Sequence, residues 1–295
     1  MAARFWRRIL ALAMALAMAW GILLASAFAL PVWAAAALAA AMLLALPVTL
    51  VLATFVMARS ACNSLAAVPG EIAAFTRAVV AMGRDEWSLP PAQHLAATYP
   101  LRPVLLLHGQ LCNHQVWREL WARLEGAGFG PIEAPDMEPL LADIEALAAG
   151  LAHQLRSLQR RCNGERVVIV AHSMGGLVAR LLLRDVGSCV IARIVTIASP
   201  HHGTRLARGL PGTNTGQMSR TSSWLRALNE SQENRFAVPV ASIYSTDDNI
   251  VAPACSARLS GAELQELRGL GHFALLRSRR ALDAIMTTLS REEPR

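Results

Sequence analysis

The sequence predicts a doubly wound α/β fold with a mostly parallel sheet, preceded by a transmembrane helical hairpin. Three observations carry this expectation. From Ile9 to Ala58 there is no Asp, Glu, Lys, Arg or His. After Pro103, short runs rich in Val, Ile and Leu alternate with longer helical segments, the pattern of βα units on a buried sheet. One of those runs passes directly into a serine-centred turn and then a helix.

At 295 residues the chain is long enough for one large domain and an appendage. Its 54% hydrophobic and 17% charged content argues against disorder, and the uncharged N-terminal run accounts for a mean hydropathy of +0.36. The net charge is 28 − 21 = +7, and without Arg4, Arg7 and Arg8 it is 25 − 21 = +4. That excess forms no nucleic-acid footprint, so no nucleic-acid partner is expected, and protein partners are left unassigned. All 28 basic residues are Arg, which carries no functional conclusion. The five cysteines, Cys62, Cys112, Cys162, Cys189 and Cys255, are scattered and contain no C-x-x-C pair. They read as structural thiols, with one periplasmic disulfide also compatible.

As a single helix the uncharged run would be about 75 Å long, over twice the ~30 Å hydrocarbon thickness. Two passes fit it, Ile9 to Leu30 and Trp33 to Met57, with Pro31 at the turn and Pro47 expected to kink the second. Trp6, Trp20 and Trp33 suit the interfaces. Arg4, Arg7 and Arg8 at one end and Arg59 at the other place both ends in the cytoplasm by the positive-inside rule, giving a multi-pass protein of a bacterial inner membrane. A rival reading takes Arg4 to Arg8 as a signal-peptide n-region and Ala25-Ser26-Ala27 as its cleavage site, leaving the second stretch as an anchor and the domain in the periplasm. The expected organisation is a hairpin over 1–59, a connector over 60–99 and a catalytic domain over 100–295. In the connector, Ile72, Phe75, Val79 and Met82 form a helical stripe within Glu71 to Met82, compatible with lying on the bilayer or packing on the domain.

Within the domain, Val104 to Leu107, Arg166 to Ala171, Ile191 to Ala198 and Val238 to Tyr244 read as strands. Val116 to Leu124, Ile144 to Gln159, Met174 to Arg184 and Ala281 to Leu289 read as helices. No G-x-G-x-x-G or phosphate-cradling glycine pattern follows a strand, so no nucleotide cofactor is expected.

The chemistry concentrates in Val170-Ala171-His172-Ser173-Met174-Gly175-Gly176, a strand, a tight turn and a helix start with Ser173 at the tip. Such a turn strains the serine backbone and needs small residues two before and two after it, here Ala171 and Gly175. A serine hydroxyl needs an imidazole to take its proton, and eight histidines compete. His172 shares the turn and should diverge from the hydroxyl. His94, His114 and His153 have no motif context, and His201-His202 lacks nearby carboxylates for a metal. His272, in Gly269-Leu270-Gly271-His272-Phe273 just before the C-terminal helix, is the best candidate. Asp247 and Asp248, just past a strand, both offer the carboxylate that the imidazolium requires.

Together, Leu107-His108-Gly109-Gln110, the Ala171 to Gly176 turn, Ser245 to Val251 and Gly271-His272-Phe273 resemble a serine lipase or esterase of the α/β-hydrolase superfamily. The turn is similar to the Ala-His-Ser-Met-Gly elbow of small bacterial triacylglycerol lipases. The resemblance begins near Leu101 and implies the α/β-hydrolase fold, with Ser173, Asp248 and His272 as triad in that chain order and Asp247 as a turn residue. It implies oxyanion donors from the backbone N–H groups of Gln110 and Met174, with His108 structural. It implies ester hydrolysis through an acyl-enzyme with no metal or organic cofactor, on acyl esters or lipids presented at the bilayer. Gly203 to Asn234 would supply at most a short lid. The same triad serves thioesterases and acyltransferases, and Ser173 to Arg180 also resembles enzymes that deacylate the inositol of lipid anchors. The competing classes are a catalytically silent, membrane-tethered binding protein and a transporter subunit; two passes without an ionisable residue give the latter no polar path.

Overall fold

A computed structural model describes residues 1–58, 65–84, 100–208, 211–232 and 236–291. Arg59, Cys62 and His94 lie outside the described residues.

α1 (Ala2–Ala27) and α2 (Val32–Ala58) pair along their length, with the turn at Phe28 to Pro31 and Pro47 inside α2. The seam is built of small residues: Ala17, Gly21 and Ala25, each four apart on α1, and Ala35 and Ala39 on α2 are all buried, with Gly21 against Ala35 and Ala39. A methyl group on Gly21 would overlap the carbonyl oxygen of Ala35, so the backbones are in contact there. Leu16, Trp20, Leu23 and Leu44 stay exposed on the outside. Both helices are long and apolar enough to cross a membrane, as is the stretch Leu65–Arg84.

α3 (Val68–Arg84) nonetheless packs on the domain, with Ala78 and Met82 in the core under the sheet. Its buried face is rotated from the expected stripe. Val68, Glu71, Ala74, Ala78 and Met82 are covered, while Ile72, Phe75 and Val79 are half-buried. Small side chains at 74 and 78 allow close approach, and that carries Glu71 inward.

The remaining elements alternate. In order they are β1 (Val104–Leu107), α4 (Arg118–Gly126), β2 (Ile132–Glu133), α5 (Ile144–Arg161), β3 (Val167–His172), α6 (Met174–Val186), β4 (Ile191–Ile197), α7 (Thr213–Gln217), α8 (Ser223–Ser231), β5 (Val240–Ser245), β6 (Glu263–Leu267) and α9 (Arg279–Ser290). The six strands run in the order β2-β1-β3-β4-β5-β6 with every neighbouring pair parallel. Side chains alternate between two cores. Leu105, Leu107 and Ile169 meet α5 and α6, while Leu106, Val168 and Val170 meet α3, α4 and α9. Each buried aliphatic side chain contributes about 1.5–3 kcal/mol, so the central strands are held from both faces.

The four expected strands are present, each matching to within two residues at either end, and β2 and β6 are added at the two edges. Among the described residues of the stretch 203–234, α7 and α8 are short helices, and Leu225 and Leu228 of α8 enter the core.

Candidate active site

The pieces converge at the carboxyl ends of the central strands. β3 ends at His172, α6 begins at Met174, and Ser173 between them has φ 56° and ψ −125°. A side chain in that region costs on the order of 1–3 kcal/mol, which the surroundings must over-determine. They do so here. The Ser173 amide donates to Ile197 O on β4 at 2.8 Å. Gly175 lies so close to the carbonyls of Leu107 and His108 that any Cβ would overlap them. Gly176 lies equally close to the Ser199 side chain.

His272 sits on the loop between β6 and α9, 3% exposed, with Nδ1 3.0 and 3.1 Å from the two carboxylate oxygens of Asp248, itself 2% exposed. The amides of Ile250 and Val251 both donate to Asp248 Oδ1 at 2.8 Å, which fixes the carboxylate before it meets the ring. Asp247 points elsewhere and accepts the Gly269 amide at 2.6 Å. Burial pulls the imidazole pKa down, but the charge and hydrogen bond of Asp248, helped by the charge of Glu71, outweigh it and hold His272 above its ordinary 6.5.

Ser173 and His272 line the same cavity of about 220 Å³. A direct hydrogen bond between their side chains is not formed among the described residues; such bonds are commonly long before substrate arrives. The turn His108-Gly109-Gln110 passes beside the serine, and a methyl on Gly109 would stand 3.0 Å from Ser173 Cβ. That places the Gln110 backbone next to the start of α6, where Met174 is the first residue. The Gln110 side chain turns away to Asn214 and Thr215, at 2.9 and 2.6 Å.

Three of the other described histidines bond to neighbouring groups. His108 Nδ1 bonds to Gly109 O at 2.8 Å, and Nε2 accepts the Met137 amide at 2.9 Å. His114 pairs with Asp136 at 3.0 Å, and His201 Nε2 meets Thr196 Oγ1 at 3.1 Å. His153 is exposed. His172 is buried, its ring centroid 4.5 Å from that of His272, and burial together with His272 keeps it well below the ordinary value, hence neutral. Among the described residues no group of three or more His, Cys, Asp or Glu stands together as a metal-binding set.

Three features were absent from the sequence reading. Glu71 of α3 is buried beside the His272 loop, Trp6 of α1 and Phe75 of α3 help wall the cavity, and Asn249 accepts the His272 amide at 3.0 Å. An acid on an amphipathic helix gives no local sign that it faces inward.

Residues 137–256 match the family described as PGAP1-like alpha/beta domain. A triacylglycerol lipase of Pseudomonas fragi is 28% identical over 113 residues, 36% of each chain, so the match spans about a third of that enzyme's length. Lipase B of Aspergillus fumigatus superposes with a TM-score of 0.61 at 20% identity, over 70% of this chain and 56% of that one. Mature Bacillus licheniformis lipase BlEst2 gives 0.58 at 17% identity, over 68% and 96%. The chain has the α/β-hydrolase fold. The expected resemblance to lipases and esterases is borne out. The paired apolar hairpin touches the α/β body at Leu111, through Trp6, and at Asn249, through Thr54.

Proposed function

We propose that the protein is a serine ester hydrolase held at a bilayer by its hairpin, with Ser173, His272 and Asp248 as its triad. The observation that carries this reading is the buried Asp248–His272 pair whose imidazole lines the same cavity as a serine in a strained strand-to-helix turn.

The Ser173 oxygen attacks the ester carbonyl carbon while His272 Nε2 takes the hydroxyl proton. Asp248 holds Nδ1–H and stabilises the imidazolium. The backbone amides of Gln110 and Met174 receive the negative oxygen, each worth about 3 kcal/mol of barrier. Collapse expels the alcohol with the proton from His272, leaving an acyl-serine. Water then repeats the sequence, giving the carboxylic acid and free serine.

The cavity supports acyl esters of lipid type. Leu206, Met218, Ile250 and Val251 line it with Trp6 and Phe75, so one wall belongs to α1 and another to α3. An acyl chain therefore meets apolar surface beside the hairpin. The similarity to a triacylglycerol lipase favours neutral glycerides. A second reading, an inositol-linked acyl lipid, is favoured by the resemblance of Ser173 to Arg180 to enzymes that deacylate the inositol of lipid anchors.

Full-length protein in detergent should hydrolyse p-nitrophenyl acyl esters and label covalently with a fluorophosphonate, and Ser173→Ala should lose both. Equal labelling of the variant would overturn the assignment. A series of acyl chain lengths on glycerol and inositol would separate the two readings.

A further inference from the structure

Glu71 stands on α3, 1% exposed, and its carboxylate faces the turn that follows His272. Both oxygens accept the Phe273 amide at 3.0 Å, and Oε2 also accepts the Ala274 amide at 2.9 Å. One helical turn along, Phe75 packs edge-on against Phe273 with ring centroids 5.5 Å apart. The His272 amide itself goes to Asn249 Oδ1 at 3.0 Å, and Asn249 Nδ2 donates to Thr54 Oγ1 of α2 at 2.7 Å. Three consecutive amides, 272 to 274, are thus received by groups that trace to α2 and α3. The segment just before them is Gly269-Leu270-Gly271, which offers little stiffness of its own.

We propose that Glu71 is a positioning residue for His272, clamping the imidazole-bearing turn to α3 and placing a carboxylate within electrostatic reach of the ring. The proposal rests on the triad reading above. The charged and titratable groups facing His272 are Asp248 from the loop after β5, His172 from the end of β3 and Glu71 from α3. Those acting on Glu71 are His272 and Asp248. Burial pushes the Glu71 carboxyl up to about 7, against the pull of the two amides and of His272, so it changes charge close to neutral pH.

Glu71→Gln keeps the shape, removes the charge and exchanges one acceptor oxygen for a donor that faces N–H groups. With a short-chain ester, kcat should fall about tenfold or more while KM changes little, because the ring is misplaced and binding is not. The acid limb of kcat/KM should move to lower pH, since a charge that favours the imidazolium is gone. Glu71→Asp keeps the charge on a shorter arm and should hold the limb near its wild-type position. Unchanged kcat and an unmoved limb in Glu71→Gln would overturn the proposal. So would lowered thermal stability with no movement of the limb, which is the mark of a purely structural carboxylate.

An independent readout uses the full chain with 15N-labelled histidine in detergent micelles, the His272 signal being assigned by its loss in His272→Asn. Its titration midpoint should drop in Glu71→Gln, and an unchanged midpoint would defeat the proposal without reference to turnover. Failure of wild-type protein to label with a fluorophosphonate would instead defeat the triad reading.

Discussion

Asp248 brackets the Nδ1 of His272 with both carboxylate oxygens, at 3.0 and 3.1 Å, whereas the carboxylate of its neighbour Asp247 accepts the Gly269 amide and the Asp247 amide donates to Ser245 Oγ. Two adjacent carboxylates therefore do different work: one orients a ring, the other closes the loop that presents it.

Asp248→Asn should lower kcat by roughly 10³–10⁴, because an amide stabilises the wrong tautomer and cannot balance the imidazolium. Asp247→Asn keeps an oxygen for the Gly269 amide and should cost about 1 kcal/mol of stability with a small change in turnover. Steady-state kinetics and thermal melts on both variants check the pair; the reverse ranking would exchange their roles.

As the proposed base His272 works only when neutral, and it is held above its ordinary 6.5 by Asp248 and Glu71 against the effect of burial. Turnover should therefore fall as pH drops through a value above 6.5, and Asp248→Asn should move that limb downward. A pH–rate profile from 5 to 9 measures both.

Glu71 also predicts a stability slope. Its pKa is raised by burial from 4.5 in the unfolded chain to about 7 when folded, so between those values the folded state retains a proton that the unfolded state has released. Stability from this group is then lost as pH rises through that window, by about 3 kcal/mol in total. Wild type minus Glu71→Gln, followed by denaturant melts from pH 4 to 8, isolates the slope; a flat difference would contradict the burial effect.

Trp6 walls the cavity and its indole N–H donates to Leu111 O at 2.6 Å. Trp6→Ala should cut kcat/KM on long-chain esters by about tenfold through lost apolar contact, with short-chain esters little affected. Equal losses across chain lengths would place the acyl group elsewhere.

Much of the centre of the molecule was legible because buried parallel strands read as unbroken apolar runs and because the serine turn has few sequence solutions. The edges were not. β2 is two residues long, and β6 reads Glu-Leu-Gln-Glu-Leu on a largely exposed edge, so neither forms an apolar run. Asp248 and His272 were legible from loop context and resemblance. Glu71 was not, because an acid among apolar residues at helical spacing ordinarily faces water, and only the packing of α3 on a loop two hundred residues away turns it inward.

The seam at Gly21 has a mechanical meaning. Backbones that touch at Ala35 leave no gap for a lipid tail, so the two helices would be expected to tilt and shift as one strut. If the hairpin lies in a bilayer as proposed, squeezing or thinning of that bilayer would be transmitted to the strut's ends at the domain, where Trp6 borders the cavity and Thr54 meets Asn249.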